Sequence, residues 1–513
     1  MATEDLTPAT PRPSGSLLSG ASVLVAGRYA VAALAWIGTV IIVRQLTVEE
    51  FGEYSVIFSL LGIVGFIADL RISRIVLADV LAADDTEAVR VVGSYTGLRL
   101  VIGVVSWAVA VAVVLIGFAT GNYSRAIVIG TVLGGLNLII LSVAYGMILL
   151  FEARLWLRDV AISNVLGQLG AFAVIVAATL AGVASLQWFV GATVLNAVVM
   201  LLWLMFTLRR GTGIRIRWER SQWWIWLKEA APLAMGAALD TIYFRIDIVM
   251  LSIMASASAA GIYNIGYKFS DLMGAVPIAV MTPALTLMVA AWPHDKPAFR
   301  RTFRHTYVIL LVGAVGASAA FLVYAEPLIR ALYQKPEYVA GADAARLLVV
   351  GQALHFFTLL AFTTLVAVKR NRLYPIAMLL GVVVNIGLNL VLIPEHSYIG
   401  SGWATVITEI LVLAALGAGV ARIDGLRPYP WSPTVKTCFA GAVTGLVGWA
   451  LLDRVPWPVG IGASAVVYLG LVHLLSPAGP GGLRAFAGEP TDDLGILGID
   501  ELDRRNLGTG EVD

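Results

Sequence analysis

The sequence predicts an all-α, polytopic membrane protein of about fourteen transmembrane helices: two six-helix lobes followed by a C-terminal helix pair. Three observations predict it. The 513-residue chain is 59% hydrophobic and only 13% charged, whereas a soluble domain carries roughly 25% charge. Its apolar runs are continuous and long enough to span a bilayer, since about 20 helical residues cross ~30 Å of hydrocarbon and unsatisfied backbone there is too costly. Short sequence matches also recur at nearly equal offsets in the two halves. A β-barrel is excluded, because its strands would be short and alternating.

Residues 1–16 are rich in Thr, Pro and Ser with mixed charge and read as a disordered cytoplasmic N-terminus. They lack the basic start and short apolar core of a signal peptide. The runs 18–43, 54–77, 91–117, 126–150, 158–182 and 186–208 form the N-lobe, residues 17–208. Residues 209–228 are the longest internal polar link and place Trp218, Trp223, Trp224 and Trp226 among Arg and Lys. That composition suits a cytoplasmic inter-lobe helix in the headgroup layer, or simply an aromatic belt at the start of the next span. The runs 229–254, 259–290, 305–325, 342–367, 373–394 and 400–421 form the C-lobe, residues 229–422. Pro277 and Pro283 lie inside its second helix and are expected to bend it. Runs 434–452 and 457–475 make the extra pair within residues 423–475. The tail 476–513 is acidic and Gly/Pro-rich, and only Gly495 to Leu507 is patterned for a helix.

The lobes read as repeats. Gly52-Glu-Tyr54 returns as Gly261-Ile-Tyr263, an offset of 209, and Ala192-Thr-Val194 returns as Ala404-Thr-Val406, an offset of 212. Six helices per copy is an even number, so the copies share orientation about a pseudo-two-fold axis along the membrane normal and should enclose a cavity that opens to one face at a time.

Basic residues set the orientation. Links after even-numbered helices carry clusters such as Arg209, Arg210, Arg215, Arg217, Arg220 and Lys228, or Lys296, Arg300, Arg301 and Arg304, while links after odd-numbered helices hold only Arg44, Arg125, Arg330, Lys335 and Arg454. Both termini are therefore expected in the cytoplasm of a multi-pass plasma-membrane protein. The net charge of +2 combines a body of about +7 with a tail whose eight acids outnumber three arginines. This balance reflects topology and gives no sign of nucleic-acid binding. One cysteine, Cys438, excludes an internal disulfide, and the five histidines show no metal spacing.

Charges deep in hydrocarbon are expensive and mark candidate sites. Arg28 and Arg99 fall ~12 Å inside the cytoplasmic end, Lys268 ~14 Å inside the external end, and Arg245 in the outer third. These four are the candidate substrate-binding cations. Arg71 and Arg74, with Asp69, sit at a helix end where long side chains reach the headgroups. Asp240, Asp247, Asp271 and Glu409 are the candidate ion-coupling acids, able to exchange a proton or bind sodium; the alternative for each is to balance a nearby cation, as Lys268 and Asp271 could on one helix face. Asn385 and Asn389 are read as helix-packing amides. There is no phosphate-binding Gly-rich loop, so no cofactor is expected, and the energy comes either from an ion gradient, proton or sodium, or from the substrate's own concentration difference.

The passages VRQLTVEEFGEYSVIFSLLGIVGFIADL, PLAMGAALDTIYFRIDIVMLSIMASASAAGIYNIGYKFSDL and NIGLNLVLIPEHSYIGSGWATVITE resemble the polysaccharide flippases of the multidrug/oligosaccharidyl-lipid/polysaccharide superfamily, the Wzx-type exporters of O-antigen and exopolysaccharide units. The resemblance spans about residues 18 to 475. It implies a twelve-helix core with two added helices in a bacterial inner membrane. The implied cargo is a polyprenyl-pyrophosphate-linked oligosaccharide moved to the outer leaflet, with a polysaccharide polymerase and glycosyltransferases as partners. Arg28, Arg245 and Lys268 would then meet the pyrophosphate, which needs charge-assisted donors once out of water. A lipid II flippase and a drug/cation antiporter are the rivals within the superfamily. The region after helix 1 reads Thr47-Val-Glu-Glu and lacks the basic motif expected of the former. An enzyme is disfavoured, because the longest external link, 325–341, carries only Glu326 and Glu337 as acids.

Overall fold

Hydrocarbon leaves a peptide group no partner but its own helix, so the polar residues decide where each helix starts and stops. A computed structural model describes residues 17–69, 72–209, 214–370, 372–423, 426 and 429–477. All sixteen elements among the described residues are helices: α1 (Leu17–Gln45), α2 (Val48–Asp69), α3 (Ser73–Ala82), α4 (Asp85–Ala119), α5 (Arg125–Ala153), α6 (Leu157–Leu180), α7 (Leu186–Arg209), α8 (Arg220–Tyr243), α9 (Ile246–Met254), α10 (Ala257–Ala291), α11 (Lys296–Tyr333), α12 (Pro336–Val339), α13 (Ala342–Ala367), α14 (Leu373–Ala421), α15 (Trp431–Leu451) and α16 (Trp457–Leu475). The expectations for residues 1–16, for the tail beyond 477, for Arg71, and for the side chains of Asp69 and Asp240 lie outside the described residues.

Eleven of the described helices are long and apolar enough to cross a membrane. With 49 residues, α14 is about 74 Å long at 1.5 Å per residue, enough for two crossings of ~30 Å. It breaks at Ser397, whose φ of 48° and ψ of −131° leave the helical region, between the two spans expected at 373–394 and 400–421. Two further crossings, α2 with its acids Glu49, Glu50 and Glu53 and the interrupted pair α8 and α9, bring the count to the fourteen expected. Some details differ from expectation. The single span 54–77 is two helices, α2 and α3, because the charged stretch from Asp69 to Arg74 ends the apolar run. The span 229–254 is divided at Phe244 and Arg245. Pro277 and Pro283 fall inside α10, as the sequence places them.

The chain divides into two compact units. One contains Met1–Asn264, Tyr333–Glu337 and Asn389–Tyr398; the other contains Ile265–Leu332, Tyr338–Leu388 and Ile399–Asp513. In the first, α4 runs along α5, α6 lies against α1 and α7, and α2 touches α4 and α5. Helices in lipid approach through small residues rather than by hydrophobic drive. Gly146 of α5 accordingly rests on Thr96 of α4, where an added Cβ would come within 2.9 Å of the Thr96 Cα. The Trp-rich segment is tied to α3 and α4: the Trp226 indole donates to Asp79 at 2.8 Å and the Trp223 indole to the Ser94 carbonyl at 3.0 Å. Trp218 and Trp224 remain exposed. In the second unit, α15 packs on α16, and Tyr468 anchors the pair to α11 by donating to the Val312 carbonyl at 2.7 Å.

Within the first unit, the repeat appears as a reciprocal contact. Thr47 and Glu50 form a capping box at the start of α2: the Glu50 carboxylate accepts from the Thr47 amide at 2.8 Å, and the Thr47 hydroxyl accepts from the Glu50 amide at 3.1 Å. Ser256, 209 residues later, receives the Ala259 amide at 3.0 Å at the start of α10. A Cβ on Gly52 would strike the Ala257 carbonyl, and one on Gly261 would come within 2.8 Å of the Val48 carbonyl. Gly52 and Gly261 are related by the offset of 209, and so are Val48 and Ala257. Each side therefore makes the contact that the other makes, as across a two-fold axis. Asn264 completes it by donating to the Ser55 hydroxyl at 2.6 Å, again a 209-residue separation.

Candidate functional site

Apolar helices must carry any polar chemistry on isolated side chains, and the candidates take distinct settings. Arg28, Arg99 and Arg245 belong to the first unit and Lys268 to the second. On α1, Arg28 is exposed, beside Tyr29, which is 70% exposed. Arg99 of α4 is only 3% exposed. Its guanidinium lies 6.0 Å from the Tyr95 ring centroid and 5.6 Å from that of Tyr145, and its Nε donates to the Ser142 carbonyl at 3.4 Å. Such an aromatic cradle offsets part of the cost of burying a cation. Arg245 stands at the break between α8 and α9 as the N-cap residue of α9, and is half-buried. Lys268 of α10 is half-buried too.

Among the acids, Asp247 is 1% exposed in the first turn of α9. Its Oδ1 accepts from the Ile248 amide at 2.8 Å and its Oδ2 from the Tyr263 hydroxyl at 2.9 Å. A carboxylate at a helix N-terminus is favoured there by the free amides and the helix dipole. Asp271 is exposed on α10. Glu409 of α14 is 2% exposed, and two groups of α13 converge on its Oε1: the Thr358 hydroxyl at 2.6 Å and the His355 Nδ1 at 3.0 Å. Buried Asn385 and Asn389 also lie on α14.

Sequence reasoning missed His355 and Lys335. His355 is one of five scattered histidines, and nothing local announces that a residue 54 positions away will meet it. Lys335, between α11 and α12, donates to the carbonyls of Val43, at 3.2 Å, and Leu46, where α1 ends. Burial pushes its ammonium below the usual lysine range, with Glu337 and Glu50 pulling the other way. A lysine on the last carbonyls of a helix complements the negative end of its dipole.

The fold and sequence have known counterparts. Residues 17–288 match the family model described as "Polysaccharide biosynthesis protein", and residues 232–391 match the model described as MatE. No curated protein matches the chain. Among solved structures, the lipid II flippase MurJ in an inward closed conformation aligns with a TM-score of 0.71 at 13% identity, covering 88% of this chain and 98% of that one. An inward-facing multidrug resistance MATE family transporter of the MOP superfamily aligns at 0.60 and 13% identity, covering 76% and 94%. The MATE multidrug transporter DinF-BH aligns at 0.57 and 14% identity, covering 79% and 95%. These likenesses establish the fold, and the first family match covers more than half of the sequence. The chain therefore belongs to the polysaccharide biosynthesis protein family, within the MOP exporter superfamily.

Proposed function

We propose that this chain carries polyprenyl-pyrophosphate-linked oligosaccharide units from the cytoplasmic to the outer leaflet of a bacterial inner membrane by alternating access, with both termini in the cytoplasm. The observation that carries this reading is Arg28: an exposed cation within α1, a membrane helix whose other charged residue, Arg44, stands in its last turn. A charge held within a span needs an anionic or aqueous partner, and a pyrophosphate is such a partner, met through charge-assisted donors. Arg99 and Lys268 are further cations borne on helices of the fold, and Arg245 stands at the break between α8 and α9. The family match supports a glycan rather than a drug as cargo. The lipid tail stays in the bilayer while the head group crosses. Polymerase and glycosyltransferases act on either side of this step.

The test is reconstitution with a fluorescent polyprenyl-pyrophosphate oligosaccharide and a membrane-impermeant quencher. Arg28→Ala and Lys268→Ala should each slow flipping by about tenfold or more, the worth of one charged hydrogen bond, while the protein remains monodisperse. Unchanged flipping in both variants removes these residues from the site. Transport of lipid II in place of the oligosaccharide overturns the cargo.

A further inference from the structure

We propose that His355 and Glu409 form a proton-carrying pair within the second unit, binding one proton per transport cycle; this rests on the transport reading above. Glu409 lies twelve residues from the break at Ser397 and twelve from Ala421 where α14 ends, about 18 Å from each by the helical rise. It is thus placed midway along its crossing and is 2% exposed. His355 and Thr358 are one turn apart on α13, so both face it.

The chemistry of the contact selects the ligand. Oε1 already receives a hydroxyl at 2.6 Å and a ring nitrogen at 3.0 Å. Hard cations want several oxygen ligands and gain nothing from imidazole, whereas a proton is what an imidazole and a carboxylate can share. With no added proton the pair carries one negative charge. With one proton it is neutral overall, either as imidazolium and carboxylate or as imidazole and carboxylic acid. A low-dielectric setting strongly prefers that neutral form. The pair therefore keeps its proton while dry and releases it when water enters, which links proton movement to a conformational change.

Other titratable groups on the neighbouring helices shape this site. Ser270 donates to Gln352 at 3.2 Å, bringing α10 against α13 with Lys268 and Asp271 one turn or less from Ser270. Tyr307 packs on Phe357 with ring centroids 5.1 Å apart, bringing in α11 with Arg304 and His305. On α14 itself Glu395 and His396 precede the break, and on α13 Asp343 and Arg346 pair with each other at 2.6 Å. The members of the pair are themselves in direct contact, His355 Nδ1 lying 3.0 Å from Glu409 Oε1.

The experiment needs no cargo for its first readout. Purified full-length protein is stepped between about pH 8 and pH 5, the window in which imidazole changes charge, and carboxyl and imidazole bands are followed by infrared difference spectroscopy. The wild type should take up one proton that Glu409→Gln does not, and His355→Gln should move the midpoint of that uptake. Identical titrations in all three proteins overturn the pair. In proteoliposomes, an inward proton gradient should accelerate flipping by the wild type about tenfold, and the acceleration should vanish in both variants; acceleration by sodium alone overturns the proposal. Should Glu409→Gln fail to fold, His355→Gln carries both readouts. A titration difference in a protein that flips no lipid-linked glycan supports the pair and refutes the cargo instead.

Discussion

Gly52 shows how much a single hydrogen atom can decide. Its α-carbon sits against the Ala257 carbonyl, so any Cβ collides with backbone, which cannot swing aside as a long side chain would. Gly52→Ala should lower stability by about 2 kcal/mol or more, read as a drop in melting temperature in detergent. Gly62, also in α2, has nothing within 4 Å of the same position. Gly62→Ala should be neutral or stabilising by up to about 1 kcal/mol, because alanine loses less backbone entropy in a helix. Residue chemistry was partly legible in the sequence. Gly52 and Gly261 stood out as a repeated motif, and Glu409 stood out as an acid in an apolar run. Their partners did not, because a contact across 54 or 209 residues leaves no trace in local composition. Asp247 illustrates the same limit: its place at the start of α9 follows from a break at Phe244 and Arg245, where no glycine or proline announces one.

Helices were the most legible level, since length and hydropathy are local properties. α13 and α16 begin and end where their apolar runs do. Breaks were harder to see. Proline need not end a helix in a membrane, where neighbouring groups can compensate for the lost hydrogen bond, and α10 holds Pro277 and Pro283 within it. In α14 the helix passes Pro394 and yields three residues later at Ser397. A side chain at φ 48° is strained by about 1–3 kcal/mol, a cost that glycine escapes. Ser397→Gly should therefore raise the melting temperature, whereas Ser397→Ala should not. Equal shifts in both would mean that the backbone there carries no strain.

For the whole molecule, the fold class was legible because composition and charge asymmetry are summed over hundreds of residues and tolerate local error. Orientation can be read with thiols. Cys438 is the single cysteine and is exposed, so Cys438→Ala gives a background free of thiols. In that background, Asn122→Cys, between α4 and α5, should react with an impermeant maleimide added to intact cells. Leu155→Cys, between α5 and α6, should react only after lysis. The opposite pattern inverts the topology.

The reciprocal contact between the starts of α2 and α10 also constrains how this protein can change with time. Were it formed by two separate copies of a half-length chain, every substitution would strike both sides at once, and the hydroxyl of Ser55 could only face another hydroxyl. Covalent linkage lifts that restriction, so serine on one side faces the amide of Asn264 on the other. The glycines gain nothing from this freedom. Backbone meets backbone at Gly52 and at Gly261 alike, so the polar pair tolerates different residues on its two sides while both positions against the backbone require glycine.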